Sequence, residues 1–168
     1  MTVREGMEFG FSYVGVIYLL MLIVPNIVWS RHQPEGYQAY VEREDRRLLF
    51  MERAGEILVS CTVLVFSDFN LRTDSLWYIW IILSFAFMVM YELYWIGYFR
   101  SGRTMEDMYS SFLGIPVAGA TLPVIAFALL AVYGCNPILG ASVAILAVGH
   151  IGIHWNHLKD IRRPEVEV

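Results

Sequence analysis

The chain has 168 residues, of which 57% are hydrophobic, with 12 basic and 16 acidic side chains and a formal net charge of −4. Its mean hydropathy is +0.53 and its pI about 5.5; this excludes an ordinary water-soluble domain, and it excludes the basic surface that attracts nucleic acid. Long apolar runs alternate with short charged stretches, so a single transmembrane helical domain over residues 1–168 is expected, with no separate domain in water.

A membrane crossing takes about 20 predominantly apolar residues, the length that covers roughly 30 Å of hydrocarbon in a helix. Runs of this kind occur at about 9–29, 48–66, 76–99, 112–133 and 137–157. The fold class they predict is all-α, a polytopic integral membrane bundle of about five transmembrane helices. The leader MTVREGMEFG sets Arg4 against Glu5 and Glu8 and is followed by no small-residue cleavage site, so the first run is expected to stay attached. Between the first and second runs the chain opens with Pro34, Glu35 and Gly36 and then has no breaker until Gly55. That spacing predicts a cytoplasmic helix continuing into the second span, with Glu42 and Arg46 paired four residues apart.

The basic residues orient the bundle. With the N-terminus outside and the C-terminus cytoplasmic, Arg31, Arg43, Arg46, Arg47, Arg100, Arg103, Lys159, Arg162 and Arg163 fall on the cytoplasmic side, and only Arg4 and Arg72 fall outside. A multipass protein of the cytoplasmic (plasma) membrane is therefore expected, with membrane lipid as its surroundings. In the third span, Trp77, Tyr78 and Trp80 at one end and Tyr91, Tyr94, Trp95 and Tyr98 at the other fit interfacial aromatic belts. The fourth span contains Gly114, Pro116, Gly119 and Pro123 and is expected to kink, either for close packing or to line a ligand cavity. Gly140, Ala144, Gly149 and Gly152 give the fifth a small-residue face suited to packing against the fourth, or to homo-oligomer formation. Cys61 reads as a small core residue, and no disulfide with Cys135 is expected.

Ionisable side chains inside a bilayer cost several kcal/mol unless paired or hydrated, roughly 2.5–3.5 kcal/mol for a charge at a helix centre. Here they gather at one depth. Glu52, Arg53 and Glu56 open the second span, Glu92 lies in the third, and His150, His154 and His157 close the fifth; Asn26 in the first reaches a similar level. The histidines stand at i, i+4 and i+7, within an arc of about 60° on one helix face. Three glutamates against one arginine leave an excess of negative charge that a divalent cation such as zinc, iron or manganese can cancel, with the three histidines as its ligands. Proton uptake by Glu52, Glu56, Glu92 and the imidazoles is the other remedy, and outward snorkelling to the headgroups a third. The function expected is binding of a small molecule, a lipid-like ligand or a metal in a cytoplasm-facing intramembrane pocket, in the manner of a proton-coupled carrier. A metal-dependent enzyme acting on a lipid-like substrate, and a noncatalytic subunit or scaffold, are the alternatives.

Overall fold

The computed structural model describes residues 7–73 and 75–163; Arg4 and the charge pattern of the leader lie outside the described residues. Within them the chain forms α1 (Tyr13–Ser30), α2 (Tyr37–Val41), α3 (Arg46–Val65), α4 (Ile79–Arg100), α5 (Met105–Met108), α6 (Ala118–Gly134) and α7 (Pro137–Ile161), with no extended strand. Tyr13–Ser30, Leu76–Arg100 and Pro137–Ile161 are long and apolar enough to cross a membrane. α3 has 20 residues but carries Glu52, Arg53 and Glu56, and α6 has 17. Ile17, Leu20 and Val24 on α1 and Ile82, Phe85 and Val89 on α4 point outward, a surface compatible with insertion into lipid.

Helix starts follow local chemistry. The Ser12 hydroxyl accepts the Gly15 N–H at 2.9 Å to cap α1, and the Asn136 side chain accepts the Leu139 N–H at 3.0 Å to cap α7 with Pro137 in its first turn. α3 begins at Asp45, whose carboxylate accepts the N–H groups of Arg47 at 2.7 Å and Leu48 at 3.2 Å. This cap overturns the expected continuous helix: α2 stops at Val41, the chain turns through residues 42–45, and α3 starts afresh. The fourth helix likewise begins at Ala118 rather than 112. Phe112 and Ile115 exchange two backbone hydrogen bonds around Leu113 (φ 51°) and Gly114 (φ 82°), and Val117 is left-handed at φ 46°, so this stretch reverses direction before the helix can form.

The long helices alternate in direction. Contacts Tyr18–Ser84, Asn26–Tyr91 and His32–Tyr98 run α1 and α4 parallel, while Gly119 against Tyr94 sets α6 antiparallel to α4. α3 runs antiparallel to both α1 and α7. At one end Asp68, 4% exposed, accepts the Glu8 N–H and the Asn136 side-chain amide, tying the α3–α4 and α6–α7 connections together. At the other end gather the two loops that carry α2 and α5.

Two expectations about side chains change. Tyr91, Tyr94, Trp95 and Tyr98 are buried inside the bundle rather than set in an interfacial belt, because positions 84, 88, 91, 95 and 98 share one face of α4. Cys61 is exposed on α3, not in the core. The small residues of α7 also have a different use from the one expected. A Cβ on Gly149 would lie 2.2 Å from the Glu52 nitrogen, and one on Gly55 would lie 2.5 Å from Leu146 Cα. Thus it is α3, and not α6, that takes the glycine face, with backbones in contact.

The same substitution should therefore have opposite signs at two positions of α7. Gly149→Ala should destabilise the fold by about 2–3 kcal/mol through overpacking. Gly140→Ala, where a Cβ meets nothing within 4 Å, should be neutral or gain up to about 1 kcal/mol from helix propensity. Unfolding curves of the two variants in one detergent decide this; equal effects would contradict the contact.

Candidate functional site

Close approach of α3 and α7 at Gly149 sets the residue after it, His150, beside Glu52. His150 Nδ1 and Glu52 Oε1 share a hydrogen bond of 2.6 Å, and Glu52 is 8% exposed. One turn further along α7, the ring of His154 stands with its centroid 4.5 Å from that of His150. Glu52, His150 and His154 each offer a ligand atom, and these atoms lie within 4.8 Å of one another. Of the expected group, these three are the ones the fold brings together.

His157 is diverted. Its Nδ1 shares a 2.6 Å hydrogen bond with the Tyr109 hydroxyl, its Nε2 lies 3.5 Å from Glu44 Oε1, and Tyr37 and Tyr40 pack edge-on against its ring. At 3% exposure it sits in a cage made by the loops rather than at an interface. Arg53 pairs with Glu56 at 3.0 Å, and both side chains remain accessible. Asn26 donates to the Leu22 carbonyl at 2.7 Å and to the Tyr91 hydroxyl at 3.0 Å. Glu92 is half-buried and makes no hydrogen bond or ion pair among the described residues. It stands apart from the cluster because one residue step, about 100°, turns it off the inward face that holds Tyr91 and Trp95.

A cavity of about 700 Å³ opens onto this cluster. Its floor is polar, with Glu52, His150, His154, Glu44 and Tyr37; Val59, Val124, Phe127, Leu146 and Trp95 form apolar walls. Gly119, Ala120 and Pro123 of α6 line it too, and so does the left-handed Val117, a β-branched residue in a costly backbone conformation. On the side between α1 and α3 the rim carries Ile23, Asn26 and Ile27 opposite Arg53, Glu56 and Ser60. α1 touches α3 closely at Gly15, where a Cβ would lie 2.0 Å from the Val63 carbonyl oxygen.

Glu44, Tyr37 and Tyr109 had no signal in the sequence. Glu44 belongs to a charged stretch that reads as a solvated helix face, and it turns inward because the Asp45 cap breaks that helix. Burial, then the nearby Glu52 carboxylate, push the Glu44 carboxyl above its ordinary value of 4.5, with Arg53 opposing.

The class this arrangement defines is a helical bundle with membrane-compatible helices around an internal cavity that ends on a His/Glu cluster. Among protein families, curated proteins and solved structures, none matches this chain.

Because the folded state favours protonated Glu44, its contribution to stability is present below pH 4.5 and lost as pH rises through the raised value. Glu44→Gln keeps a neutral side chain at that place. Its melting temperature should therefore gain on the wild type as pH is raised from 4.5 towards neutrality, and parallel curves for the two proteins would contradict the assignment.

Proposed function

We propose that this chain is a multipass membrane protein that binds a lipid-like amphiphile in its central cavity, with the polar head of the ligand at Glu52, His150 and His154 and its apolar part against α6. The observation that carries this reading is the cavity itself. About 700 Å³ of space lies within the roughly 300–1,000 Å³ typical of small-molecule sites, and it is apolar along its walls and ionisable at one end. Such a division matches a molecule that is itself divided. The rim between α1 and α3 lies among outward-facing apolar side chains, Ile23 and Ile27 among them, so a ligand dissolved in lipid has a sideways route in.

In this reading α3 and α6 cross the bilayer beside the three longer apolar stretches, giving five spans with the N-terminus outside. Arg31, Arg46, Arg100, Lys159 and Arg162 all belong to the end where α1, α4 and α7 finish, and a surplus of positive charge marks the cytoplasmic side. The cavity floor then faces the inner leaflet of the plasma membrane.

A second reading, a proton-coupled carrier, is favoured by one further feature. From Glu52 a line of ionisable groups runs through His150, His154 and Tyr109 to His157 and Glu44 in the loop region. Hydrogen bonds join Glu52 to His150 and Tyr109 to His157, and the His154 ring lies between these two pairs, the kind of imidazole series a proton relay uses.

The experiment uses the full chain in lipid nanodiscs and a lysophospholipid with a fluorophore at its chain end. Energy transfer from Trp29 and Trp95, which line the cavity, should rise saturably with probe concentration. Asn26→Phe combined with Ser60→Phe narrows the α1–α3 rim without adding a tryptophan donor and should weaken binding by about tenfold. Non-saturable transfer, equal in wild type and variant, would mean that the probe only partitions into lipid, and the reading would fail.

A further inference from the structure

We propose that Glu52, His150 and His154 form a binding site for one divalent transition-metal ion, with zinc as the reference ion. His157, the third member of the histidine stripe, takes no part in it. The inference goes beyond amphiphile binding and does not depend on what fills the apolar part of the cavity.

The donor set is the first argument. Two imidazoles at i and i+4 on one helix face are spaced to share one ion, and a carboxylate from the facing helix completes a two-histidine, one-carboxylate set of the kind that binds zinc, iron or manganese. Bonds of about 2.0–2.2 Å place donor atoms roughly 3.4 Å apart. The three candidate atoms already fall within 4.8 Å of one another, so side-chain rotation alone closes the set. The 2.6 Å contact between His150 Nδ1 and Glu52 Oε1 is held by a proton, and the ion takes that proton's place as the two atoms move apart.

Rigidity and charge supply the second argument. Glu52 and His150 come from helices whose backbones touch at Gly149, so the distance between their Cα atoms is not free to drift, and a preorganised site loses little on binding. Arg53 is already engaged by Glu56. That leaves Glu52 with only the His150 imidazole beside it, in surroundings where charge is expensive. Three protein donors leave at least one coordination position facing the cavity, where water or a ligand oxygen can bind.

What separates His157 from the site is its own bonding. Its Nδ1 is committed to Tyr109 and its Nε2 points towards Glu44, and pulling it to the ion would abandon a buried tyrosine hydroxyl.

The test uses the full chain in nanodiscs, stripped with a chelator, and the metal alone: equilibrium dialysis against Zn²⁺ with elemental analysis, repeated with Mn²⁺, Fe²⁺ and Mg²⁺. One Zn²⁺ per chain is expected, with little uptake of Mg²⁺. Glu52→Gln and His154→Ala should each weaken zinc binding at least about 100-fold, beyond the tenfold to 100-fold typical of groups that only orient a ligand. His157→Ala should stay within about threefold of wild type. Absence of a stoichiometric ion, unchanged affinity in Glu52→Gln and His154→Ala, or an equal loss in His157→Ala would each overturn the site. Should the site variants not fold, the wild type still decides the question, because bound zinc must raise its melting temperature with concentration and a flat response overturns the proposal. The amphiphile probe is not added in these measurements, so failure here leaves the cavity reading standing, and failure of probe binding leaves the metal site standing.

Discussion

The contact that governs this molecule is the one between the backbones of α3 and α7. In lipid there is no hydrophobic drive to press helices together, and association depends on how closely their surfaces can approach. Glycine is the residue that permits closest approach, and here Gly149 sits on the Glu52 backbone while Gly55 sits on that of Leu146. The crossing fixes more than distance. It aligns α3 and α7 antiparallel, sets their register to one residue, and by doing so faces a carboxylate with an imidazole at the level of the cavity floor. α1, by contrast, meets α3 tightly at Gly15, and towards the polar end the two helices flank the cavity. One tight pair and one parted pair are what make a cavity in so small a bundle.

Much of this architecture was legible in the residues. The apolar runs coincide with the five long helices, three of which are long and apolar enough to cross a membrane, since about 20 apolar residues in a row are a strong helix signal. Breaks between helices were read less well. Asp45 ahead of Arg46 is an ordinary cap, but it is embedded in a charged stretch that is equally good as a solvated helix, and only tertiary context chooses. The helix starting at Ala118 was read as beginning at 112 because hydropathy is blind to backbone direction: Leu113 and Val117 are apolar residues in left-handed conformations, which composition gives no reason to expect. Aromatic residues near a helix end have two good fates, interface or core, and α4 uses Tyr91, Tyr94 and Trp95 for the second.

The candidate site shows the same limit. Periodicity put three histidines on one face of α7 and Glu52 at the same depth, and that much is present in the fold. Glu92 was placed with them on depth alone, yet depth does not fix rotation about a helix axis. Reading the α4 face from its buried positions, Ser84, Met88, Tyr91 and Trp95, would have turned Glu92 aside. Glu44 and Tyr109 belong to the connections between spans and enter through the loops, where no periodic signal exists.

How one stripe of histidines comes to hold two kinds of residue follows from where each meets its neighbours. His150 and His154 lie at the level where α7 faces α3 and the cavity, so His150 meets Glu52 and the ring of His154, which on its far side meets Tyr109. One turn later α7 emerges beneath the loops, and Tyr37, Tyr40 and Tyr109 close around His157 from three sides in sequence. Buried aromatic rings and a hydroxyl bonded to Nδ1 fix that imidazole as firmly as packing can. A residue so held binds the loops to the bundle, tying Tyr109 and the Glu44 segment to the end of α7. The third histidine thus anchors the loops to the bundle, while the first two, with Glu52, are left to line the cavity.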